Sequence, residues 1–292
     1  MRVLLVANPF ATNVTPERVE AVAVRLARVG EILVELTQHP GHATELARAV
    51  DADALVVYSG DGGYNEALNG LAGDVPIGFL PGGGTSVLPR ALGLPHDPVA
   101  AAVQVADALA AQRTRRITLG RVNGRRFAFA AGIGVDAEAV RRVDELGRRE
   151  DGRRPGDLAF ALAVVRVLAA ERLHVEPKLE VKGLGRAASV FVANGAPYTY
   201  ARGVPLPIVP DADFELGLDL VAPVRIRRRS LVRLAFEILT GHGRAGLLYA
   251  HDEDGFEVAC DEPLALQVDG EDLGDVESAV FEAERGAVRV LH

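Results

Sequence analysis

Tyr58-Ser59-Gly60-Asp61-Gly62-Gly63-Tyr64-Asn65-Glu66 decides the reading of this chain: an apolar strand breaks into glycines around one aspartate and then turns into a helix. Glycine takes positive φ without strain and lets backbone N–H groups come close to an anion, and a helix start presents unpaired donors with partial positive charge. The stretch therefore reads as a phosphate-binding loop. A second segment, Leu80-Pro81-Gly82-Gly83-Gly84-Thr85-Ser86, has the same form: strand, glycines, a hydroxyl residue, helix. Two such loops at adjacent strand ends point to a nucleotide site. The chain has two lysines, Lys178 and Lys182, both outside these loops, and no G-x-x-x-x-G-K-[ST] sequence, which excludes a P-loop NTPase.

Outward from the loops, the first part alternates as a parallel sheet does. Strands are expected at 3–7, 32–36, 54–58 and 77–80, with helices at 16–29, 43–50, 64–71 and 98–111. The strands are uninterrupted apolar runs, as expected when helices cover both faces, and ligands of such sheets bind beyond the carboxyl ends. Past residue 114 strands dominate: 117–122 and 126–131 around the turn Asn123-Gly124, then 179–182, 188–193, 218–222, 247–249, 256–259, 264–268, 280–283 and 288–291. Helices are expected near 136–148, 157–172 and 228–239. The fold class is α/β with two domains. Residues 1–114 form a doubly wound parallel α/β nucleotide-binding domain and residues 115–292 an antiparallel, β-sandwich-like domain, whose last strands are candidates to return to the first.

Composition narrows the function. The 292 residues are 49% hydrophobic, enough for substantial cores, and the net charge of −8 speaks against a general nucleic-acid binder. Cys260 is alone, so no disulfide framework exists and a reducing, cytoplasmic setting is expected. The apolar start ends at Asn8-Pro9 and the run 158–170 contains Arg166; both are too short to span a bilayer. Arginines cluster at Arg141, Arg142, Arg148, Arg149, Arg153 and Arg154, and again at Arg225, Arg227, Arg228, Arg229 and Arg233. Such groups are solvated helix faces or contacts for anionic lipid headgroups, the latter implying transient peripheral contact with the inner face of a membrane.

Two carboxylate settings carry chemistry. Asp61 sits inside a phosphate loop, where its charge is unfavourable unless Mg²⁺ lies between it and phosphate. Gln267-Val268-Asp269-Gly270-Glu271-Asp272 reads either as a hairpin turn or as a base, Glu271, taking a proton from a substrate hydroxyl with Asp269 assisting. Together they suggest phosphoryl transfer. Ala131-Gly132-Ile133-Gly134-Val135-Asp136-Ala137 satisfies G-x-G-x-x-A, but in the β-rich half it reads as a tight turn. The histidines show no ligand spacing, and His42 either caps a helix or faces the nucleotide edge, the structural role being favoured.

These residues resemble the diacylglycerol kinase catalytic-domain family, which includes bacterial lipid kinases and sphingosine and ceramide kinases, over nearly the whole chain. Val6-Ala7-Asn8-Pro9 is similar to its opening N-P strand end, and Thr37 with Gly41-His42-Ala43 to its second nucleotide segment. Residues 59–66 with Asn69-Gly70 resemble G-G-D-G-T-x-N-E-x-x-N-G. Residues 81–85 with Ala91-Leu92-Gly93-Leu94-Pro95 resemble the P-x-G-T segment, and Val268-Asp269-Gly270-Glu271 the late V-D-G-E. The resemblance implies a kinase using ATP and Mg²⁺ on a lipid hydroxyl such as that of diacylglycerol. Asn8, Pro9, Thr37, Ser59, Gly60, Asp61, Gly62, Gly63, Asn65, Glu66, Gly83, Gly84 and Thr85 would then line the nucleotide. Asp61, Glu271 and Asp269 would be catalytic, with Asp61 and Asp219 as metal ligands. The chain departs from the signature at Ser59 for glycine, Gly63 for threonine and Ser86 for asparagine, and Glu215-Leu216-Gly217-Leu218-Asp219 moves the glycine of D-G-x-L-D. Two other readings stand beside this one: an NAD-kinase-like enzyme on a soluble acceptor, and a nucleotide or lipid binder without turnover. Oligomeric state is left open, a homodimer included.

Overall fold

Short runs of Val, Leu, Ile and Ala with no polar break make strands that are buried on both faces, and β3 has all six residues buried. The computed structural model describes residues 1–145, 157–170, 174–201, 204–231, 233, 237 and 246–292. They divide into two units, Met1–Thr118 with Gly286–His292, and Leu119–Arg285.

The first unit runs β1 (Arg2–Ala7), α1 (Pro16–Leu26), β2 (Glu31–Leu36), α2 (His42–Arg48), β3 (Ala54–Ser59), α3 (Asp61–Gly70), β4 (Ile77–Pro81), α4 (Val87–Ala91) and α5 (Pro98–Ala110). β1 pairs in parallel with both β2 and β3, and β3 with β4. The order β2-β1-β3-β4 places a topological switch between β1 and β3, where ligands of such sheets collect. Val3, Leu5, Ala54, Val56 and Tyr58 pack with Val22 and Leu26 of α1 and Val105 and Leu109 of α5. The intervening strand residues turn to the other face, and α2 packs against α3.

The second unit continues with β5 (Thr114–Val122, begun in the first), β6 (Arg125–Phe127), β7 (Ala130–Ile133), α6 (Val135–Glu145), α7 (Asp157–Ala170), β8 (His174–Val175), β9 (Leu179–Val181) and β10 (Gly185–Ala187). β11 (Val190–Ala193), β12 (Pro197–Ala201), β13 (Val204–Pro207), β14 (Leu218–Pro223), β15 (Ile226–Arg227), a 3-10 turn at Arg228–Ser230, β16 (Leu247–Glu253), β17 (Gly255–Val268) and β18 (Glu271–Leu291) follow. The antiparallel order is β16-β14-β11-β7-β17-β18. β17 pairs with β9 through Val258 and with β7 through Leu266, changing neighbours across its irregular stretch after Ala259. Ile133, Val181, Val192, Leu220, Leu266 and Phe281 fill the sandwich core.

The α/β architecture with its β sandwich is as read from the sequence; several elements differ. α3 begins three residues before the expected start, at Asp61, so the first loop is reduced to Gly60 as helix cap. The strand expected at 126–131 is two strands that pair with different partners, β6 with β5 and β7 with β11 and β17. Residues 256–268 form one strand, and 280–291 belong to another, because the charged stretches between the expected pieces are irregularities within strands rather than turns. The helix expected at 228–239 falls largely outside the described residues, as do the ends of those expected at 136–148 and 157–172.

Candidate active site

Because β1 to β4 run parallel, Asn8, Pro9, Thr37, Ser59–Gly60 and Gly82–Ser86 all leave one edge of the first unit's sheet. The glycines here do not use positive φ: none of Gly60, Gly62, Gly63, Gly82, Gly83 and Gly84 has it. Between the loops, Gly82 and Gly83 are needed for close approach. A Cβ on Gly83 would stand 2.9 Å from Gly60 Cα, and one on Gly82 2.9 Å from the Ser59 carbonyl oxygen. The two loops touch backbone to backbone, with the Gly82 N–H donating to Ser59 O at 2.7 Å. Gly84 faces open space, and Thr85 beside it is half-buried.

Asp61 opens α3 and reaches the start of α4, where Leu88 N–H donates to its Oδ1 at 3.2 Å. Burial pushes this carboxyl above its usual range, against the opposing pull of the Val87, Leu88 and Asp61 amides. Asp61 thus ties two helix starts together. Ser86 stands in the left-handed region at φ 49 and is fully buried, with its Oγ 3.1 Å from Gly83 N. Asn13 N–H and side chain donate to Gly82 O at 2.8 Å and Gly83 O at 2.9 Å, clasping the second loop from the β1–α1 connection. Asn8 Oδ1 accepts from Phe10 N–H in the same connection.

Tyr64 and Asn13 were not singled out by the sequence reading. The Tyr64 hydroxyl lies 2.6 Å from Ser59 O and 2.7 Å from Leu80 O, joining the ends of β3 and β4 beneath the loops. Burial, with the Asp61 charge as the next cause, pushes its pKa well above the usual phenol range. An aromatic one helical turn after a glycine break was the available signal. Glu66 has a structural role: its carboxylate accepts from Ala43 N–H at 3.3 Å, capping α2. Asn65 is buried, and its Oδ1 accepts from Asn69. Thr37 is buried at the end of β2, its N–H on Ala7 O.

His42 Nδ1 accepts from Gln38 N–H at 3.1 Å, closing the turn into α2. His39, His42 and Glu45 also bring ligand atoms within 4.8 Å of one another, a grouping the spacing had not suggested. The Gln38 amide meets His42 where the second nitrogen of a metal-bound histidine needs an acceptor, so the group reads as a turn rather than a metal centre.

In the second unit, Asp269 and Gly270 have φ 47 and 81 between the paired Val268 and Glu271. This is a two-residue hairpin with both central residues left-handed, the I′ geometry that suits strand twist. Asp269 is buried, and its carboxylate accepts from Ala128 N at 2.7 Å, Phe129 N at 3.0 Å and Ala130 N at 3.1 Å. It is therefore the anchor that breaks the chain between β6 and β7, and it does not present a free oxygen to a substrate. Glu271, half-exposed at the start of β18, pairs with Arg125 at 2.7 Å. Gln267 donates to Asp136 at 2.7 Å and accepts from Gly270 N–H. The G-x-G segment is the β7–α6 turn, with Gly134 at φ 95.

Asp61 suits Mg²⁺, which takes one or two protein carboxylates and completes its shell with phosphate oxygens and water. Asp219 does not fit. It is fully buried, and both its oxygens are engaged by His251 Nδ1 at 2.9 and 3.0 Å, with Asp252 N–H on Oδ1 at 2.8 Å. A histidine ring stands where a metal was expected.

Residues 2–122 match the family model described as diacylglycerol kinase catalytic domain, and residues 130–292 that described as YegS C-terminal NAD kinase beta sandwich-like domain. The chain belongs to the diacylglycerol kinase and YegS-like lipid kinase family. A diacylglycerol kinase of Mycobacterium tuberculosis is 31% identical over 254 residues, 82% of this chain and 79% of that protein. The fold is that of a diacylglycerol kinase from Bacillus anthracis, with TM-score 0.73 and 18% identity over 100% of this chain and 96% of that one. More distant is an NAD kinase from Archaeoglobus fulgidus solved with ATP, with TM-score 0.53 and 15% identity over 100% of this chain and 94% of that one. The lipid kinase therefore carries its family's loops in order, with substitutions at 59, 63 and 86.

Two outcomes follow for stability. Asp269→Ala strands three buried amides and is expected to cost about 3 kcal/mol or more in urea unfolding; a loss below ~1 kcal/mol would show that the anchor is unimportant. Asp219, then Asp211 and Asp252, hold the His251 pKa above its usual value. The pair's stabilisation is therefore full below about pH 6.5 and fades as pH rises through the raised pKa. The melting-temperature gap between wild type and His251→Asn should narrow from acid to alkaline pH; a gap that widens contradicts the pairing.

Proposed function

We propose that this lipid kinase transfers the γ-phosphate of ATP to a hydroxyl of diacylglycerol or a related long-chain alcohol, with Mg²⁺ as cofactor. The observation that carries this reading is the pair of touching glycine loops at the ends of β3 and β4, next to the β1/β3 switch, with two helix starts joined by Asp61. Phosphoryl transfer asks a protein chiefly for positioning and charge neutralisation. Backbone N–H groups and helix starts provide both without a lysine. Mg²⁺, held by Asp61 and phosphate oxygens, would supply the neutralising charge. We assign the nucleotide to the first unit and the lipid to the second, where Glu271 is the base for the acceptor hydroxyl and Arg125 orients its carboxylate.

A lipid acceptor asks for contact with a bilayer, and among the described residues no helix is long and apolar enough to cross one. A peripheral, cytoplasmic position on an anionic phospholipid surface is supported by one face of the second unit. Val175 and Ile226 of the short β8–β15 ladder are buried, so alternation turns His174, Glu176, Arg225 and Arg227 outward. Glu176 is the acid at their centre, 2.7 Å from His174 and 2.9 Å from Arg225. Arg228 and Arg229 follow, exposed and without an acidic partner among the described residues. A groove of about 660 Å³ shares Glu176 and Arg225 with this face and is lined besides by Arg186, Pro177, Leu184, Val224 and Leu248. This is a cationic face with a partly apolar groove beside it on a chain of net charge −8.

The reaction is tested with ATP and Mg²⁺ on diacylglycerol and sphingosine in mixed micelles, with NAD in parallel. Transfer to a lipid is expected, with Asp61→Asn and Glu271→Gln each lowering kcat by about a hundredfold or more. Transfer to NAD alone would overturn the acceptor class. For the docking face, R228A/R229A is expected to weaken binding to phosphatidylglycerol-containing vesicles by about 2 kcal/mol, roughly thirtyfold. R25A/R28A, an equal charge change in the first unit, should leave it intact. Equal losses in the two pairs would mean that net charge, not this face, binds the membrane.

A further inference from the structure

Ser59 and Gly63 depart from the family signature together, and the geometry joins the two departures. Ser59 closes β3 and is 2% exposed. Its Oγ is buried without a hydrogen-bond partner, an expensive condition for a hydroxyl. A Cβ built on Gly63 would stand 2.1 Å from that Oγ and 2.8 Å from Ser59 Cβ. The serine side chain therefore fills the space that a threonine at 63 would enter, and Asn8 Nδ2 lies 3.9 Å from the same point. The Ser59 hydroxyl thus stands where a side chain at 63 would begin.

We propose that Ser59 Oγ is this kinase's hydroxyl donor to a phosphate of bound ATP, standing in for the signature threonine, and that Gly63 is required to make room for it. The inference rests on the ATP reading above. Two features converge on an anion here. α3 starts on Gly60 with no side-chain cap on its first amides, and the one hydroxyl at the end of β3 has no partner in the protein to satisfy it. A phosphate oxygen would answer both.

ATP binding by titration calorimetry and steady-state kinetics on wild type, S59A, S59G, G63T and S59G/G63T form the test. S59A should weaken ATP binding about tenfold to a hundredfold, as loss of a hydrogen bond to a charged group does. KM for ATP should rise with it, and the melting temperature should hold or rise because a buried unsatisfied hydroxyl has been removed. G63T alone should lose both ATP affinity and stability through its clash with Ser59. S59G/G63T, which moves the hydroxyl back, should bind ATP within about threefold of wild type, a recovery that reads out as non-additive coupling. S59A binding ATP as wild type does, or S59G/G63T binding no better than S59G, overturns the inference while leaving the kinase reading standing. Wild type failing to bind ATP overturns both.

Discussion

The approach of Gly60 to Gly83 is the constraint on which the nucleotide edge depends. Neighbouring strands lie about 4.8 Å apart, so two loops leaving β3 and β4 on the same side must pass in contact, and a side chain at Gly82 or Gly83 of the second would separate them. With none there, Gly82 extends the ladder one bond past the strand ends and α3 and α4 begin side by side. Two helix starts present like partial charges. The Asp61 carboxylate, carried by the first turn of α3, accepts from the amides that open α4, which ties the two starts together; burial raises its pKa although it is partnered. The same carboxylate would repel a phosphate, and a divalent cation is the physical remedy. The acid that first seems out of place in a phosphate loop is what lets the loop close.

The second unit solves a different problem with one dipeptide. Asp269 tolerates the left-handed backbone that the I′ hairpin demands, as short polar side chains do, and that conformation accompanies a carboxylate turned back onto the amides of residues 128–130. Those amides would otherwise extend β6 into β7. Breaking that strand frees β6 to bring Arg125 to Glu271 while β7 joins β17 and β11. Turn and proposed base are thus not rival interpretations of V-D-G-E. The turn residue builds the place and the next residue on the strand occupies it.

β1, β3 and β4 were legible because burial on both faces leaves an unbroken apolar run, a signal that needs no partner to be recognised. The edge bearing the glycines followed from parallel order. The reason for the glycines did not, since close approach of two loops is a tertiary fact. In the second unit, stretches such as Cys260-Asp261-Glu262-Pro263 looked like turns, yet a strand exposed on one face accepts charge and absorbs an irregularity. Asp219 looked like a metal ligand because its partner, His251, lies 32 residues away on a strand whose pairing no local pattern announces.

The substitutions at 59, 63 and 86 illustrate the limit of comparing motifs position by position. Counted singly, each removes a group from the signature, and together they suggest a decayed kinase. In space the first two are one exchange, because the volume at Gly63 is already taken by Ser59. Ser86 is different again. Its left-handed backbone is one that asparagine adopts more readily, but the residue is fully buried and its Oγ bonds Gly83 within its own loop. The serine thus closes its own loop from within. On the proposed exchange no donor is missing from the first loop, and the distinction between a kinase and a silent binder passes to the proposed catalytic carboxylates, Asp61 and Glu271.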